Sequence, residues 1–128
     1  MLVAQYEEYE PLPGLHINGQ LTLGENIGDL SGLAIAHRAY RISLGGKEAP
    51  VLDGLTGDQR FYLAYAQSWR AKAREGITRQ RTISNEHSDP RYRVIGVLRN
   101  DDGWYKAFPG VTPKDRYYLP PEKRVRLW

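Results

Sequence analysis

The chain of 128 residues contains no cysteine, which excludes a disulfide framework and any metal site built on thiolates. It has no apolar run that approaches the ~20 residues of a membrane-spanning helix. Its first residues are too few and too acidic for a secretory signal. The chain also lacks internal repeats and low-complexity linkers. These absences predict one domain at most, able to bury about two thirds of its unfolded surface.

Charge of either sign is in small excess only, because 18 basic and 15 acidic residues leave a net charge of +3. The excess is concentrated in residues 70–81 and 123–126. Such clusters are usually solvated helix faces or charged tails, and no aromatic residues for base stacking are interleaved here. A small basic nucleic-acid-binding protein is therefore an alternative interpretation, and the less favoured one.

Capping signals and apolar periodicity predict a mainly α-helical fold with minor extended pieces. Four helices are expected, at residues 2–9, 22–40, 56–75 and 103–108. Three further segments are predicted: a hairpin at 15–22 around Asn18-Gly19, a short basic helix or turn at 77–84, and a strand or buried loop at 91–98. An aromatic face on the third helix is expected to lie in the core, and it consists of Phe61, Tyr62, Tyr65, Ala66 and Trp69.

The second helix carries the strongest functional signal. Thr22 can cap it, with Glu25 at the position of a capping-box partner. Glu25 and Asp29 are spaced i, i+4, so both carboxylates project from one face near the N-terminus. A solvated acidic first turn is the plain interpretation. Apolar neighbours nevertheless predict a buried helix, in which a carboxylate needs a cation, a metal or several hydrogen-bond donors.

The segment Glu25-Asn26-Ile27-Gly28-Asp29-Leu30-Ser31-Gly32 resembles the Glu-Asn-Ile-Ala-Asp-x-Gly-Gly signature of the neprilysin-like zinc metallopeptidases. The resemblance implies that Glu25 is the third protein ligand of a catalytic zinc. It also implies that Asp29 orients a zinc-bound histidine from the same helix face. Gly28 and Ser31 depart from the signature, and both are small.

Two further segments extend the resemblance. Ala66-Gln67-Ser68-Trp69 is similar to an Ala-Gln-x-Trp element, which implies that Ser68 and Trp69 line the first primed-side substrate pocket. The segment from His87 to Val94 is similar to His-x-Pro-x-x-x-Arg-Val. By that likeness His87 stabilises the oxyanion and Arg93 binds a substrate carbonyl. Ser68 and Pro90 depart from the family pattern, and the ending at residues 121–128 matches it.

Without the resemblance, the same residues have ordinary interpretations. His87 would be a loop histidine, and Arg93 a salt-bridged arginine at the edge of the core. His16 and His37 are expected to be structural or surface residues. A planar guanidinium with five donors nevertheless suits carbonyl binding, which explains why an arginine would serve at position 93.

A hydrolytic zinc site needs three protein ligands, and the family takes two of them and its general base from a His-Glu-x-x-His motif that this sequence lacks. The resemblance therefore implies that residues 1–128 are the C-terminal portion of the catalytic domain of a zinc endopeptidase. Its partners would be peptide substrates and the N-terminal remainder of the same polypeptide. The resemblance also implies an extracytoplasmic location.

Alone, the chain is expected to be inactive and to bind zinc weakly or not at all. Exposed apolar surface could then allow self-association through the Glu25 helix. A non-catalytic interaction domain with the same fold is the other alternative.

Overall fold

The computed structural model describes residues 1–127, and it is helical as predicted. Six α-helices and one 3-10 helix follow in order: α1 Leu2–Glu7, α2 Leu23–Ser43, α3 Gly57–Ser68, α4 Glu75–Ser84, α5 Pro90–Leu98, α6 Asp102–Ala107, and the 3-10 turn Pro121–Lys123. Extended pairing over these residues is confined to two isolated bridges, Leu12–Leu15 and Leu52–Leu55. Trp128, the last residue of the C-terminal match, lies outside the described residues.

Helix α5 lies at the centre of the fold. It packs against both α1 and α2, while α3 packs against α6. Its side chains enter two apolar clusters, since Tyr92 joins one and Val97 and Leu98 join the other. The first cluster is built on α1, and the second includes Tyr62 of the predicted aromatic face. Helix α5 thus connects the two halves of the core.

The prediction of a strand or buried loop at residues 91–98 was wrong, because this segment is α5. Asp89 caps the helix by accepting a hydrogen bond from the Arg91 N–H at 3.1 Å, and Pro90 occupies the first turn, where its missing N–H costs nothing. A short apolar run does not distinguish a buried helix from a strand by periodicity alone. The cap at Asp89 was the available signal.

The predicted hairpin at residues 15–22 was also wrong. The chain makes a turn there instead, in which Asn18 accepts hydrogen bonds from the Thr22 N–H at 3.1 Å and, through its side chain, from the Leu21 N–H at 2.9 Å. Gly19 is required here by a close approach of the backbone and not by a hairpin turn. A Cβ at this position would overlap the backbone carbonyl oxygen of Val3, so the turn can lie against α1 only without a side chain.

Helix α2 begins after Thr22 as predicted, but the capping box with Glu25 does not form. The Thr22 hydroxyl donates to the Asn18 carbonyl at 3.0 Å and accepts from the Asn26 amide at 2.9 Å, so it caps no backbone N–H. The helix is also less buried than predicted. Asn26 and Leu33 are its buried residues, whereas Ile27, Ile35 and Ile42 are 38%, 61% and 69% exposed.

The capping box of α3 is present. The Gln59 N–H donates to the Thr56 hydroxyl at 3.2 Å, and the Gln59 side chain accepts from the Thr56 N–H at 3.0 Å. The helix ends at Ser68, however, and not at residue 75. Trp69 leaves helical geometry and lies beneath the Arg93 guanidinium, whose Cζ atom is 4.0 Å from the Trp69 ring centre. Tertiary packing therefore overrides the local helix propensity.

The remaining segments have the structure that the sequence predicts. The basic segment 77–84 lies within α4, and the Asp101 carboxylate caps α6 by accepting from the N–H groups of Gly103 and Trp104. After α6 the chain is irregular and is tied back to this helix by Asp102, which pairs with Arg124 and Arg126. No helix in the described part of the chain is both long and apolar enough to cross a membrane.

Candidate active site

Side chains of α2, of the loop before α5 and of α5 itself meet at the N-terminal part of α2. His87, in the loop before α5, places its Nε2 atom 3.0 Å from Oε2 of Glu25 on α2. Arg93 on α5 approaches the same oxygen with Nη2 at 3.8 Å. Asp29, one turn after Glu25, completes the group through Arg93. The fold therefore brings together four of the residues that the sequence singled out.

Asp29 and Arg93 form a bidentate pair. The Arg93 Nε and Nη2 atoms each donate to one oxygen of Asp29 at 2.6 Å, and the two side chains are 11% and 13% exposed. Hydrogen bonding to Asp29 raises the pKa of Arg93 above its ordinary value. Arg93 therefore remains a cation in a fixed orientation, as the planar guanidinium fork requires.

Two aromatic residues of the α3 segment hold Arg93 from the other side. Its guanidinium stacks on the Trp69 ring at 4.0 Å, and its backbone carbonyl accepts a hydrogen bond from the Tyr65 hydroxyl at 3.0 Å. Burial, with a smaller effect of the nearby Asp29 carboxylate, raises the pKa of Tyr65 to about 12. Tyr65 therefore keeps its proton and remains a hydrogen-bond donor.

Asn85 orients the His87 ring. Its side-chain oxygen accepts the His87 backbone N–H at 2.9 Å and lies 2.9 Å from the ring Nδ1 atom. Since Nδ1 faces this amide oxygen and Nε2 faces the Glu25 carboxylate, both ring nitrogens point at acceptors. Asn85 on one side and Glu25 on the other therefore fix the orientation of the ring.

A buried hydrogen bond ties the His87 loop to α2. The Ser88 hydroxyl donates to the Asn26 side-chain oxygen at 2.8 Å, and both residues are almost fully buried. Asn26 lies between Glu25 and Asp29 in the chain, so this bond fixes the loop beside both carboxylates. The sequence interpretation assigned no role to Asn26, Ser88 or Asn85. The signal that could have found Asn85 was its position two residues before His87, which is typical of an Asx turn.

A cleft of about 490 Å³ opens beside the cluster. His87, Arg93 and Trp69 line it, whereas Glu25 and Asp29 do not. Ser68 lies outside the lining as well, because its hydroxyl turns back to donate to the Tyr65 carbonyl at 2.7 Å. Within the Ala-Gln-Ser-Trp segment, Ala66 and Trp69 therefore line the cleft.

Glu25 is suited to contribute one oxygen to a metal site. Its side chain is 42% exposed, and over residues 1–127 its Oε1 atom has no hydrogen-bond partner. Within the same range, no group of three or more His, Cys, Asp or Glu side chains could hold a metal ion. Zinc sites in proteins use three or four ligands, so Glu25 fits a zinc site whose other ligands come from outside this sequence.

The other two histidines lie outside the cluster. His16 contacts the Glu7 carbonyl at 2.9 Å. His37 lies between the Asp58 carboxylate at 3.1 Å and the Tyr62 hydroxyl at 3.2 Å, where it joins α2 to α3. Both placements fit the expectation of a structural or surface residue.

Comparison with known proteins decides the family. A family model described as Peptidase family M13 matches residues 1–125. The chain belongs to peptidase family M13. Endothelin-converting enzyme 1 of Cavia porcellus is 40% identical over 99% of this chain, and neprilysin of Homo sapiens is 39% identical over 90% of it.

A solved structure shares the fold. The crystal structure of the Mycobacterium tuberculosis zinc metalloprotease Zmp1 in complex with an inhibitor superposes with a TM-score of 0.94 at 48% identity over 99% of the chain. That match covers 20% of the Zmp1 chain, and this chain spans 17% of the endothelin-converting enzyme and 15% of the neprilysin. The predicted family is confirmed, and the comparisons give the nucleic-acid alternative no support. The roles of the individual site residues stay predictions.

Proposed function

We propose that this M13 chain is the C-terminal portion of the catalytic domain of a zinc-dependent endopeptidase that hydrolyses peptide bonds. The observation that carries the proposal is the convergence of Glu25, Asp29, His87 and Arg93 in one cluster, whose members His87 and Arg93 line a cleft. These side chains come from segments about sixty residues apart in the sequence, and a merely solvated acidic turn would not require their meeting.

Glu25 is proposed to hold the zinc ion together with ligands from the N-terminal remainder of the polypeptide. Its Oε1 atom is the available donor, while Oε2 faces His87 and Arg93. Zinc, when bound, supplies a Lewis acid that polarises the scissile carbonyl. Both oxygens of Asp29 accept a hydrogen bond from Arg93. Each oxygen can accept a second hydrogen bond, so Asp29 can also orient a neighbouring imidazole.

His87 is proposed to stabilise the oxyanion that develops on the substrate carbonyl. Its ring is held by Asn85 and its loop by the Ser88–Asn26 bond, so the donor is oriented before the substrate arrives. One preorganised donor of this kind lowers a reaction barrier by roughly 3 kcal/mol. At 42% exposure the side chain can reach a substrate.

Arg93 and Trp69 are proposed to bind the substrate backbone. Asp29 uses the Nε and Nη2 atoms of Arg93, which leaves Nη1 to donate to a peptide carbonyl. Trp69 stacks beneath the guanidinium and forms the adjoining wall of the cleft. The resemblance to the neprilysin-like enzymes also supports an extracytoplasmic location, whether periplasmic, secreted or membrane-anchored.

The test is hydrolysis of internally quenched peptides by the complete gene product that contains this chain. The wild-type protein should cleave them, and Glu25→Gln should lower kcat/KM by at least a hundredfold. Glu122→Gln, at an exposed residue of the tail, is the matched control and should leave the rate unchanged. Absence of cleavage by the wild-type protein, or full activity of Glu25→Gln, would contradict the proposal.

A further inference from the structure

Three buried polar side chains connect the His87 loop to the turn before α2, and we call them the Thr22–Asn26–Ser88 network. The Ser88 hydroxyl donates to the Asn26 side-chain oxygen at 2.8 Å, and the Asn26 amide donates to the Thr22 hydroxyl at 2.9 Å. Thr22 in turn donates to the Asn18 carbonyl at 3.0 Å. The three residues are 2%, 1% and 4% exposed, so water does not compete for these hydrogen bonds.

Thr22 fixes the direction of every hydrogen bond in the network. A carbonyl oxygen only accepts, so the Thr22 hydroxyl gives its single proton to Asn18. Thr22 can then only accept from Asn26, which turns the amide nitrogen of Asn26 toward Thr22 and its oxygen toward Ser88. An aspartate at position 26 would lack the donor for Thr22, and a leucine would lack both the donor and the acceptor. Thr22 therefore determines which group Asn26 presents to the Ser88 hydroxyl.

The network runs beside two residues that the proposed function uses. Asn26 directly follows Glu25 in the sequence, and Ser88 directly follows His87. The 2.8 Å bond from Ser88 to Asn26 thus joins the neighbours of two side chains that are themselves 3.0 Å apart. The bond does not involve the Glu25 carboxylate, so it holds the His87 loop whatever that carboxylate binds. Buried hydrogen bonds add little net stability, but they are directional and define a single geometry.

We propose that Thr22 and Asn26 are positioning residues that act through Ser88 on the oxyanion donor His87. The inference rests on the proposed function, which gives His87 its role in the reaction. It adds that the placement of the His87 ring is set from the turn before α2, far away in the sequence. Neither Thr22 nor Asn26 lines the cleft, so neither is expected to touch the substrate.

The experiment measures kcat and KM of the complete protein with an internally quenched peptide. Thr22→Val keeps the shape of the side chain but removes its hydroxyl. It should lower kcat by about tenfold and change KM by less than about twofold, because a misplaced oxyanion donor weakens the transition state and not substrate binding. Ser88→Ala should have the same effect. Thr22→Ser retains the hydroxyl and should keep most of the wild-type kcat.

Tyr92→Phe is the matched control. It also removes one hydroxyl from a buried residue, since Tyr92 donates to the Glu10 carbonyl at 3.0 Å, but that bond lies outside the network. The variant should leave kcat unchanged. An equal fall of kcat in Tyr92→Phe, or an unchanged kcat in Thr22→Val, would overturn the inference while the peptidase proposal stands.

A double-mutant cycle with His87 separates positioning from a purely structural role. His87→Ala alone should lower kcat by about a hundredfold. Because the network acts through His87, Thr22→Val should add almost nothing to this loss in the His87→Ala protein. Losses that multiply would show that Thr22 acts on the fold or on another group, and they would overturn the inference.

The position of the His87 ring gives a readout without turnover. In crystal structures of the complete protein, the ring should move by about 1 Å or more in Thr22→Val and Ser88→Ala, and should keep its wild-type position in Tyr92→Phe. An unmoved ring in both network variants would overturn the inference. A moved ring, in a protein whose wild type hydrolyses no peptide, would overturn the peptidase function and support the positioning assignment.

Discussion

At the scale of single residues, the Asp29–Arg93 pair is the interaction on which the site geometry depends most. Both side chains are nearly buried, and the guanidinium also stacks on Trp69. Removing one partner from such a pair leaves an uncompensated buried charge. Asp29→Asn should therefore lower the free energy of unfolding by about 3 kcal/mol, measured by urea denaturation.

The exposed pair Glu75–Arg79 provides the control for this prediction. Its side chains are 71% and 50% exposed, so Glu75→Gln should cost less than ~0.5 kcal/mol. Equally small losses in both variants would show that the Asp29–Arg93 pair is effectively solvated and does not organise the site.

Asp102 provides a residue-scale test of pH dependence. Hydrogen bonds from Arg126 and Arg124 lower the pKa of this carboxyl below its ordinary value of 3.8. A lowered pKa in the folded state means that the pair stabilises the fold above that ordinary value. The contribution is lost as the pH falls through the lower, folded pKa.

Because Asp102 is 41% exposed, solvent screening limits its contribution to about 1 kcal/mol. Asp102→Asn should accordingly be less stable than wild type by about that amount at pH 6, and the difference should shrink as the pH falls below 3.8, as urea titrations at a series of pH values would show. A difference independent of pH would mean that the loss is one of packing and not of charge.

At the scale of secondary-structure elements, Gly19 tests how the turn before α2 is fitted against α1. A Cβ at this position would overlap the Val3 carbonyl oxygen, and backbone cannot move aside as a flexible side chain can. Gly19→Ala should therefore lower the free energy of unfolding by about 1–3 kcal/mol. Gly28→Ala is the control, because nothing lies within 4 Å of a Cβ there and alanine favours a helix by about 1 kcal/mol. Thermal unfolding of the two variants should shift in opposite directions.

The elements also show which features of the fold the sequence can predict. The starts of α3 and α6 were predicted to within one residue, because a cap depends on residues only three or four positions apart. Helix α5 was missed although the Asp89 cap is a local signal, whereas the end of α3 was missed because it depends on a tertiary contact, Trp69 beneath Arg93. Local patterns carry no information about such partners.

In the candidate site, too, the residues could be predicted and their contacts could not. The resemblance singled out Glu25, Asp29, His87 and Arg93, and the fold brings them together. It did not indicate that Asp29 pairs with Arg93, nor that Asn26 and Ser88 fix the His87 loop. Hydrogen bonds between residues more than sixty positions apart follow from the packing of α2 against α5, which no local pattern encodes.

At the scale of the whole molecule, the exposed face of α2 predicts association. Ile35 and Ile42 are 61% and 69% exposed and, with Ile27, leave a large apolar area on one helix. We expect the isolated chain to self-associate at micromolar concentrations in sedimentation velocity. The variant Ile35→Lys/Ile42→Lys should sediment as a monomer. A monomeric wild-type chain at the same concentrations would contradict this prediction.

Zinc content tests the role of Glu25 most directly. The complete gene product should bind about one zinc ion per molecule after dialysis, the variant Glu122→Gln should match it, and the isolated 128-residue chain should hold almost none, since one carboxylate is not a zinc site. Glu25→Gln in the complete protein should lose most of its zinc. A Glu25→Gln protein that retains equimolar zinc, measured by atomic absorption, would contradict the assignment of Glu25 as a metal ligand.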